Sequence, residues 1–333
     1  MTLHKSKLVE IMLGASVYGN TDTGLVRKNN EDAFIAQKIW DDNHWLMAVI
    51  DGLGGYEGGE VAAAIAKEAI LRSVDGKQEQ DCLDVIMQSV VDANNSIFYQ
   101  RSTLNGLNDM GCVITASILD LEKKQLNVAH VGDTRLYLCD NKGLVKLTHD
   151  HSFVGGLEDE GHISEEDAMN HPRRNLIDRI VGDELKDMDT PRFIEAAVFP
   201  VSLGNQYLLC SDGLSDMLTS AEMNSILQKE GSVKKKVSRL IDFANKQGGK
   251  DNITAIVANI IHREYPKNPD YNKQPKGNKS KNKRNKKHKS KKNYSIQAQS
   301  EDKTRASLYK IGFITLIIVV VLLVLILLSQ SKL

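Results

Sequence analysis

No two cysteines in this chain stand at the spacing of a metal knuckle or a redox pair. Cys82, Cys112, Cys139 and Cys210 are scattered, without a CxxC and without a histidine at metal-ligand spacing. That argues against a zinc site or a disulfide framework and suits small buried hydrophobes in a reducing compartment. A secretory leader is also missing, because MTLHKSKLVEIMLGASV holds no apolar core of sufficient length. The one glycine-rich stretch, GLGGYEGGE, lacks the Lys-Ser/Thr of a P-loop and the spacing of a dinucleotide fold. Nucleotide binding finds no support there.

Net charge is the last absence, and it misleads. The formal charge is zero, yet residues 1–265 carry 27 Lys+Arg against 40 Asp+Glu, while residues 266–333 carry 16 against 3. Two physically different segments have been averaged. Eleven basic residues and no acid lie between Tyr271 and Tyr294. Such a run repels itself and buries nothing, which predicts a disordered linker over 266–307. Next comes IGFITLIIVVVLLVLILL, from Ile311 to Leu328, 18 residues without a charge. A helix of that length spans roughly 27 Å, close to the thickness of a hydrocarbon core. It predicts a transmembrane helix over 308–328, and since only five residues follow Leu328, a tail anchor. The positive-inside rule then puts the lysines, and with them the N-terminal domain, on the cytoplasmic side of the cell inner membrane. The lysines also suit anionic lipid headgroups. A nucleic-acid partner is the rival reading of the basic run. It lacks interleaved aromatics and leads straight into the apolar span, both of which speak against it.

Residues 1–265 read as one domain. SLGNQYLLCSDG, LNVAHVGDTRLYLCD and DNITAIVANII alternate or run apolar over strand lengths, bounded by Gly and Asp. GEVAAAIAKEAILRSV, CLDVIMQSVVDANNSIFYQ, AEMNSILQKE and VKKKVSRLIDFANKQ show helical spacing. Strands in hairpin-like runs with helices in pairs predict an α+β layered sandwich on antiparallel sheets rather than a βαβ fold.

Acidic residues recur where these apolar strands break: Glu31-Asp32 in VRKNNEDAF, Asp51 in AVIDG, Asp133 in AHVGDTR, Asp212 in LLCSDG and Asp251 in GGKDNIT. Taken singly, each reads as an ordinary turn acid. As a set they match what Mg²⁺ or Mn²⁺ requires, namely several carboxylate oxygens and a backbone carbonyl that glycine leaves accessible. Arg27, four positions before Glu31, adds a fork suited to phosphate.

With GLVRKNNEDAF, VIDGLGGYEGGEVA, VGDTRLY, LTHDHSFV, NHPRRNLIDRIVG, LLCSDGLSD and GGKDNIT in order, the chain resembles the bacterial branch of the type 2C metal-dependent protein serine/threonine phosphatases. The resemblance covers about Ser16 to Ile261. It implies a four-layer α-β-β-α sandwich with two central antiparallel sheets and a binuclear Mn²⁺/Mg²⁺ centre at one edge. Asp51 would bridge the two metals, Glu31 and the Gly52 carbonyl would hold one, and Asp212 and Asp251 the other. Asp133 would help bind a weaker third ion, Asp32 would hold a metal-bound water, Arg27 would take the substrate phosphate, and Asn252 would orient ligands. Hydrolysis of phosphoserine and phosphothreonine by metal-activated water follows, with no covalent phosphoenzyme. Phosphoproteins and a Ser/Thr protein kinase system are the implied partners.

The chain departs from the family's pattern at Cys112-Val113, where two hydroxyl residues are usual, and at Leu53, which offers no general acid. The first predicts altered packing on a buried strand. His149, His151, His162 and His171 fall in a stretch the family uses as a flap. The HxH pair could put two imidazoles on one face of a strand, but surface or structural roles suit these four better, since nothing completes a metal site. Two other readings compete with an active phosphatase. One is an inactive relative kept as a membrane-tethered phosphoprotein-binding module, and the other a tail-anchored scaffold or nucleic-acid protein. The first requires a lost metal acid, and none is lost.

Overall fold

The computed structural model describes residues 12–54, 58–101, 103 and 107–263. The expected linker over 266–307 and apolar helix over 308–328 lie outside the described residues. Among those described, no helix is long and apolar enough to cross a membrane.

Three strands open the fold, β1 (Leu13–Asp22), β2 (Asp32–Ile39) and β3 (His44–Leu53), followed by helices α1 (Gly58–Val74) and α2 (Cys82–Arg101). Four more strands come next: β4 (Gly111–Asp120), β5 (Gln125–Val131), β6 (Arg135–Asp140) and β7 (Gly143–Lys146). Short helices α3 (Phe153–Asp159) and α4 (Glu165–Met169) precede β8 (Glu195–Pro200) and β9 (Gln206–Cys210). The chain then forms α5 (Asp212–Ser215), α6 (Ser220–Leu227), α7 (Val233–Lys246) and β10 (Ile253–His262).

The strands pair antiparallel into two five-stranded sheets, ordered β1-β10-β9-β6-β7 and β2-β3-β4-β5-β8. Side-chain alternation decides the layers. In β3, Leu46, Ala48 and Ile50 face α1 and α2, while Met47 and Val49 face the other sheet. In β10, Ile253, Ala255 and Val257 pack against α6 and α7, while Ile256, Ala258 and Ile260 meet Met47 and Val49 between the sheets. Both strands are apolar on two faces because each is covered on two faces. The result is the expected α-β-β-α sandwich.

The helices are built for their layers. On α1 the buried side is rich in small residues (Gly58, Gly59, Ala62, Ala63, Ala66, Ala69), which lets its backbone approach the sheet and α2 closely. Val237, Leu240, Ile241 and Ala244 of α7 form one apolar stripe, and Ser232 caps the helix by accepting from the Lys235 amide. α6 starts with a reciprocal capping box between Thr219 and Glu222. The four long helical segments expected from periodicity all form. Helices α3, α4 and α5 span seven, five and four residues, too few to show a period.

Candidate metal centre

The carboxylates predicted from separate stretches meet in one cleft of about 170 Å³, lined by Arg27, Glu31, Asp51, Gly52, Asp133, Asp212, Asp251 and Asn252 together with Leu53, Gly54, Asn175 and Ile177. Hairpin register places the first of them. Asp32 and Asp51 are cross-strand partners at the ends of β2 and β3, and Asp51 sits opposite Val113 of β4. Asp212 and Asp251 arrive from the other sheet, just after β9 and just before β10. Both sheets therefore deliver strand ends to the same edge of the sandwich.

Glycine follows Asp51 because two backbone segments touch there. A Cβ on Gly52 would lie 2.1 Å from the Gly59 carbonyl oxygen, and one on Gly59 would lie 2.6 Å from Glu31 Oε2. Side chains at either position would push the Glu31 carboxylate and the Gly52 carbonyl apart.

Asn252 ties the cleft together. Its Oδ1 accepts from the Glu31 amide at 2.8 Å, and its Nδ2 donates to the carbonyls of Thr23 and Asn29 at 3.0 and 2.9 Å. That fits the orienting role expected of it. Arg27 donates through Nη2 to Asp251 Oδ2 at 2.6 Å, so its guanidinium lies at the cleft mouth, paired with a candidate ligand. Asp32 does not line the cleft. It is buried beneath it, where Oδ2 accepts from the hydroxyls of Ser211 at 2.8 Å and Thr254 at 2.6 Å.

So many acids in one place strain one another. Burial pushes the Asp51 carboxyl well above its ordinary value, and Asp32 and Asp212 push it further. Asp212 is raised by burial and then by Asp216 and Asp251, and Asp133 by burial and then by Asp212. Burial also raises Glu31, with Arg27 opposing the shift.

Three features fit hard divalent cations. Every candidate donor is oxygen, the repelling carboxylates lack a matching set of cationic side chains, and Asp32 Oδ1 is buried with no hydrogen-bond partner. Cys112 and Val113, the departures from the family pattern, are wholly buried in β4, where Val113 packs against Gly132. Burial pushes the Cys112 thiol far above its ordinary range, which denies the cleft a cysteine nucleophile.

The histidine-rich stretch resolves into separate parts. His149 and His151 lie outside any strand, so the shared strand face for the HxH pair does not form. His149 is exposed and contacts Glu195, and His162 is exposed beside Glu160. His171 accepts from the Arg173 amide. His151 is buried. Its Nδ1 accepts from the Gly132 amide at 3.1 Å, and its Nε2 meets Arg179 at 3.0 Å and Glu195 at 3.4 Å. Its neighbour His130 contacts Thr115 and the His149 carbonyl. All four ring nitrogens of His130 and His151 are committed, so this pair with Glu195 reads as a structural network.

Several residues at the site escaped the sequence reading. Asn175 and Ile177 reach the cleft from the segment after α4. Asp216 joins Asp133 in an adjoining pocket and pairs with Arg174 at 2.9 Å. Its one signal was position, one helical turn after Asp212 in SDGLSD. Arg135 is the largest omission. Its Nη2 bonds Asp150 at 2.6 Å and Glu158 at 2.7 Å, anchoring α3 beside the pocket that holds Asp133.

The layered sandwich and an all-oxygen acidic cleft at its edge define a class, an enzyme whose site is built for hard cations. The protein phosphatase 2C family pattern matches residues 26–258. The serine/threonine phosphatase stp of Listeria welshimeri is 36% identical over 244 residues, spanning 71% of this chain and 92% of that protein. The serine/threonine phosphatase PstP/Ppp of Mycobacterium tuberculosis superposes with a TM-score of 0.65 at 34% identity, covering 74% of this chain and 99% of that one. The catalytic domain of PstP in complex with two manganese ions superposes with a TM-score of 0.64 at 33% identity, covering 75% and 99%. The chain belongs to the protein phosphatase 2C family.

Proposed function

We propose that this enzyme is a metal-dependent protein serine/threonine phosphatase that hydrolyses phosphoserine and phosphothreonine at the cytoplasmic face of a membrane. The observation that carries the chemistry is the convergence of Glu31, Asp51, Asp133, Asp212 and Asp251 in one cleft with Arg27 at its mouth. Asp51 would serve both of two Mn²⁺ or Mg²⁺ ions, Glu31 and the Gly52 carbonyl one of them, and Asp212 and Asp251 the other. Asp133 would help hold a weaker third ion. Such ions, when bound, acidify water toward neutral pH and offset phosphate charge.

The chain's own residues do the rest. Asn252 fixes the Glu31 backbone, so the carboxylate approaches a cation without reorganising. Ser211 and Thr254 hold Asp32 opposite Asp51, and its Oδ1, buried and without a partner, is the atom that would accept from a metal-bound water. Arg27 offers a planar fork to phosphate oxygens once a cation takes over Asp251. Leu53 at the cleft wall carries no proton donor. No acid of the set is missing, so nothing favours an inactive binding module.

Phosphate release from a phosphothreonine peptide tests this reading. Release is expected with Mn²⁺ or Mg²⁺, to fall to background in EDTA, and to return when Mn²⁺ is restored. Release that survives EDTA would exclude the proposed chemistry.

The membrane part rests on the uncharged run from Ile311 to Leu328 and the eleven basic residues between Tyr271 and Tyr294. Substrates would then be membrane-proximal phosphoproteins, among them targets of a Ser/Thr protein kinase, with the lysines resting on anionic lipids. The full chain is expected to pellet with membranes and resist high salt, because an apolar helix holds it rather than lysine attraction. Extraction by salt alone would contradict this.

A further inference from the structure

At the end of the sandwich away from the cleft, the fold assembles a cluster that sequence spacing conceals. His44 opens β3, Asp120 closes β4, and Cys82 opens α2. His44 and Asp51 are the near and far parts of one strand, seven residues or about 23 Å apart at the usual rise. The cluster is therefore separate from the carboxylate cleft.

We propose that His44 Nε2, Cys82 Sγ and Asp120 Oδ2 form a binding site for a borderline-soft divalent cation, Zn²⁺ above all. The three atoms lie within 4.8 Å of one another. His44 Nε2 is 3.7 Å and Cys82 Sγ is 3.9 Å from Asp120 Oδ2. Bond lengths of a tetrahedral zinc site put neighbouring ligand atoms about 3.3–3.6 Å apart, so these two pairs need to close by only a few tenths of an ångström, and His44 Nε2 and Cys82 Sγ, within 4.8 Å of each other, by up to about 1 Å. One nitrogen, one thiolate sulfur and one carboxylate oxygen suit Zn²⁺ and not Mg²⁺. A water would complete the tetrahedron.

The histidine is already set for ligation. Its Nδ1 lies 2.8 Å from Asp41 Oδ1, and a proton placed there leaves the Nε2 lone pair facing the cluster. Asp120 is also held in place, since its Oδ1 accepts from the amides of Glu122 and Lys123 while Oδ2 points to the other two ligands. Lys123 Nζ, 3.9 Å from that oxygen, belongs to a side chain 54% exposed and can swing into solvent. Burial, and then Asp120, push the Cys82 thiol up to about 11, so the cation would replace a proton on sulfur and release it. An ion pair of protonated His44 with Asp41 and Asp120 is the alternative use of the same residues. There the Cys82 thiol keeps its proton and donates it to Asp120 Oδ2, so no cation is bonded to sulfur.

Co²⁺ distinguishes the two. With excess Mg²⁺ occupying the oxygen cleft, Co²⁺ titrated into the full chain is expected to produce a near-ultraviolet thiolate charge-transfer band that saturates at one equivalent. Zn²⁺ should abolish the band stoichiometrically and raise the melting temperature. Cys82→Ser should lose the band, His44→Gln should bind at least tenfold more weakly, and Asp41→Asn about 10- to 100-fold more weakly. Phosphatase activity in Mg²⁺ should stay unchanged in all three. A wild-type chain without the band, or a band that survives Cys82→Ser, overturns the proposal. The wild-type result stands even if a variant fails to fold.

Discussion

Asp51→Asn is expected to reduce phosphatase turnover at saturating Mn²⁺ by about 10²- to 10⁴-fold, the equivalent of several kcal/mol of cation-borne transition-state stabilisation. The residue lies near the end of β3, opposite Asp32, and has Asp212 close enough to raise its carboxyl. In the proposed centre Asp51 is the residue assigned to both cations. Stability should move the other way. A carboxyl raised in the folded state costs nothing below its unfolded value of about 4, and destabilises the fold as pH rises above that. At neutral pH without divalent cations, the wild type bears that cost and the asparagine variant does not. The chelated variant should therefore melt at or above the wild-type temperature while remaining inactive. Near-normal turnover would remove Asp51 from the centre, and a lower melting temperature would mean that activity was lost through unfolding.

Arg135→Met should cost stability rather than chemistry. Arg135 is buried and reaches two carboxylates, Asp150 at 2.6 Å and Glu158 at 2.7 Å. Burial alone would raise Asp150, yet Arg135 and then Lys146 hold it below the usual carboxylate range. Removing the guanidinium leaves acids in the interior with only Lys146, which also serves Asp159. Breaking such a buried network costs about 3–5 kcal/mol. For a domain of this size that corresponds to a fall of roughly 10 °C in the melting temperature. The added variant Asp150→Leu should recover much of the loss, because two apolar side chains then replace a broken pair. A melting temperature within about 2 °C of wild type would show that the network contributes like a surface pair.

Much of the site was legible because its acids sit where apolar runs stop. Asp51, Asp212 and Asp251 were each marked by an adjacent strand and a neighbouring glycine. The layers were legible as well, since β3 and β10 are apolar on both faces, and a strand so composed must be covered twice. Contacts made by register were not. Nothing in the string shows Asp32 opposite Asp51, or the Ser211 and Thr254 hydroxyls meeting its carboxylate from two other strand ends. Asn175 reaches the cleft from a stretch with no strand or helix periodicity. The HxH pair shows a limit of spacing, since two imidazoles share a face only on a strand and the chain forms none there, in keeping with the surface and structural roles expected, with the His149 side chain 74% exposed and that of His151 5%. His44, Cys82 and Asp120 are drawn from three elements, beyond the reach of spacing rules that work along a single segment.

The central claim is that strand-end carboxylates hold a pair of hard cations, and calorimetric titration of Mn²⁺ into the chelated full chain tests it most directly. The account predicts two equivalents bound by the wild type, with Asp51→Asn abolishing tight binding of both, since it assigns Asp51 to both. A wild type that binds no more than one equivalent, or a variant that still binds two, would contradict it.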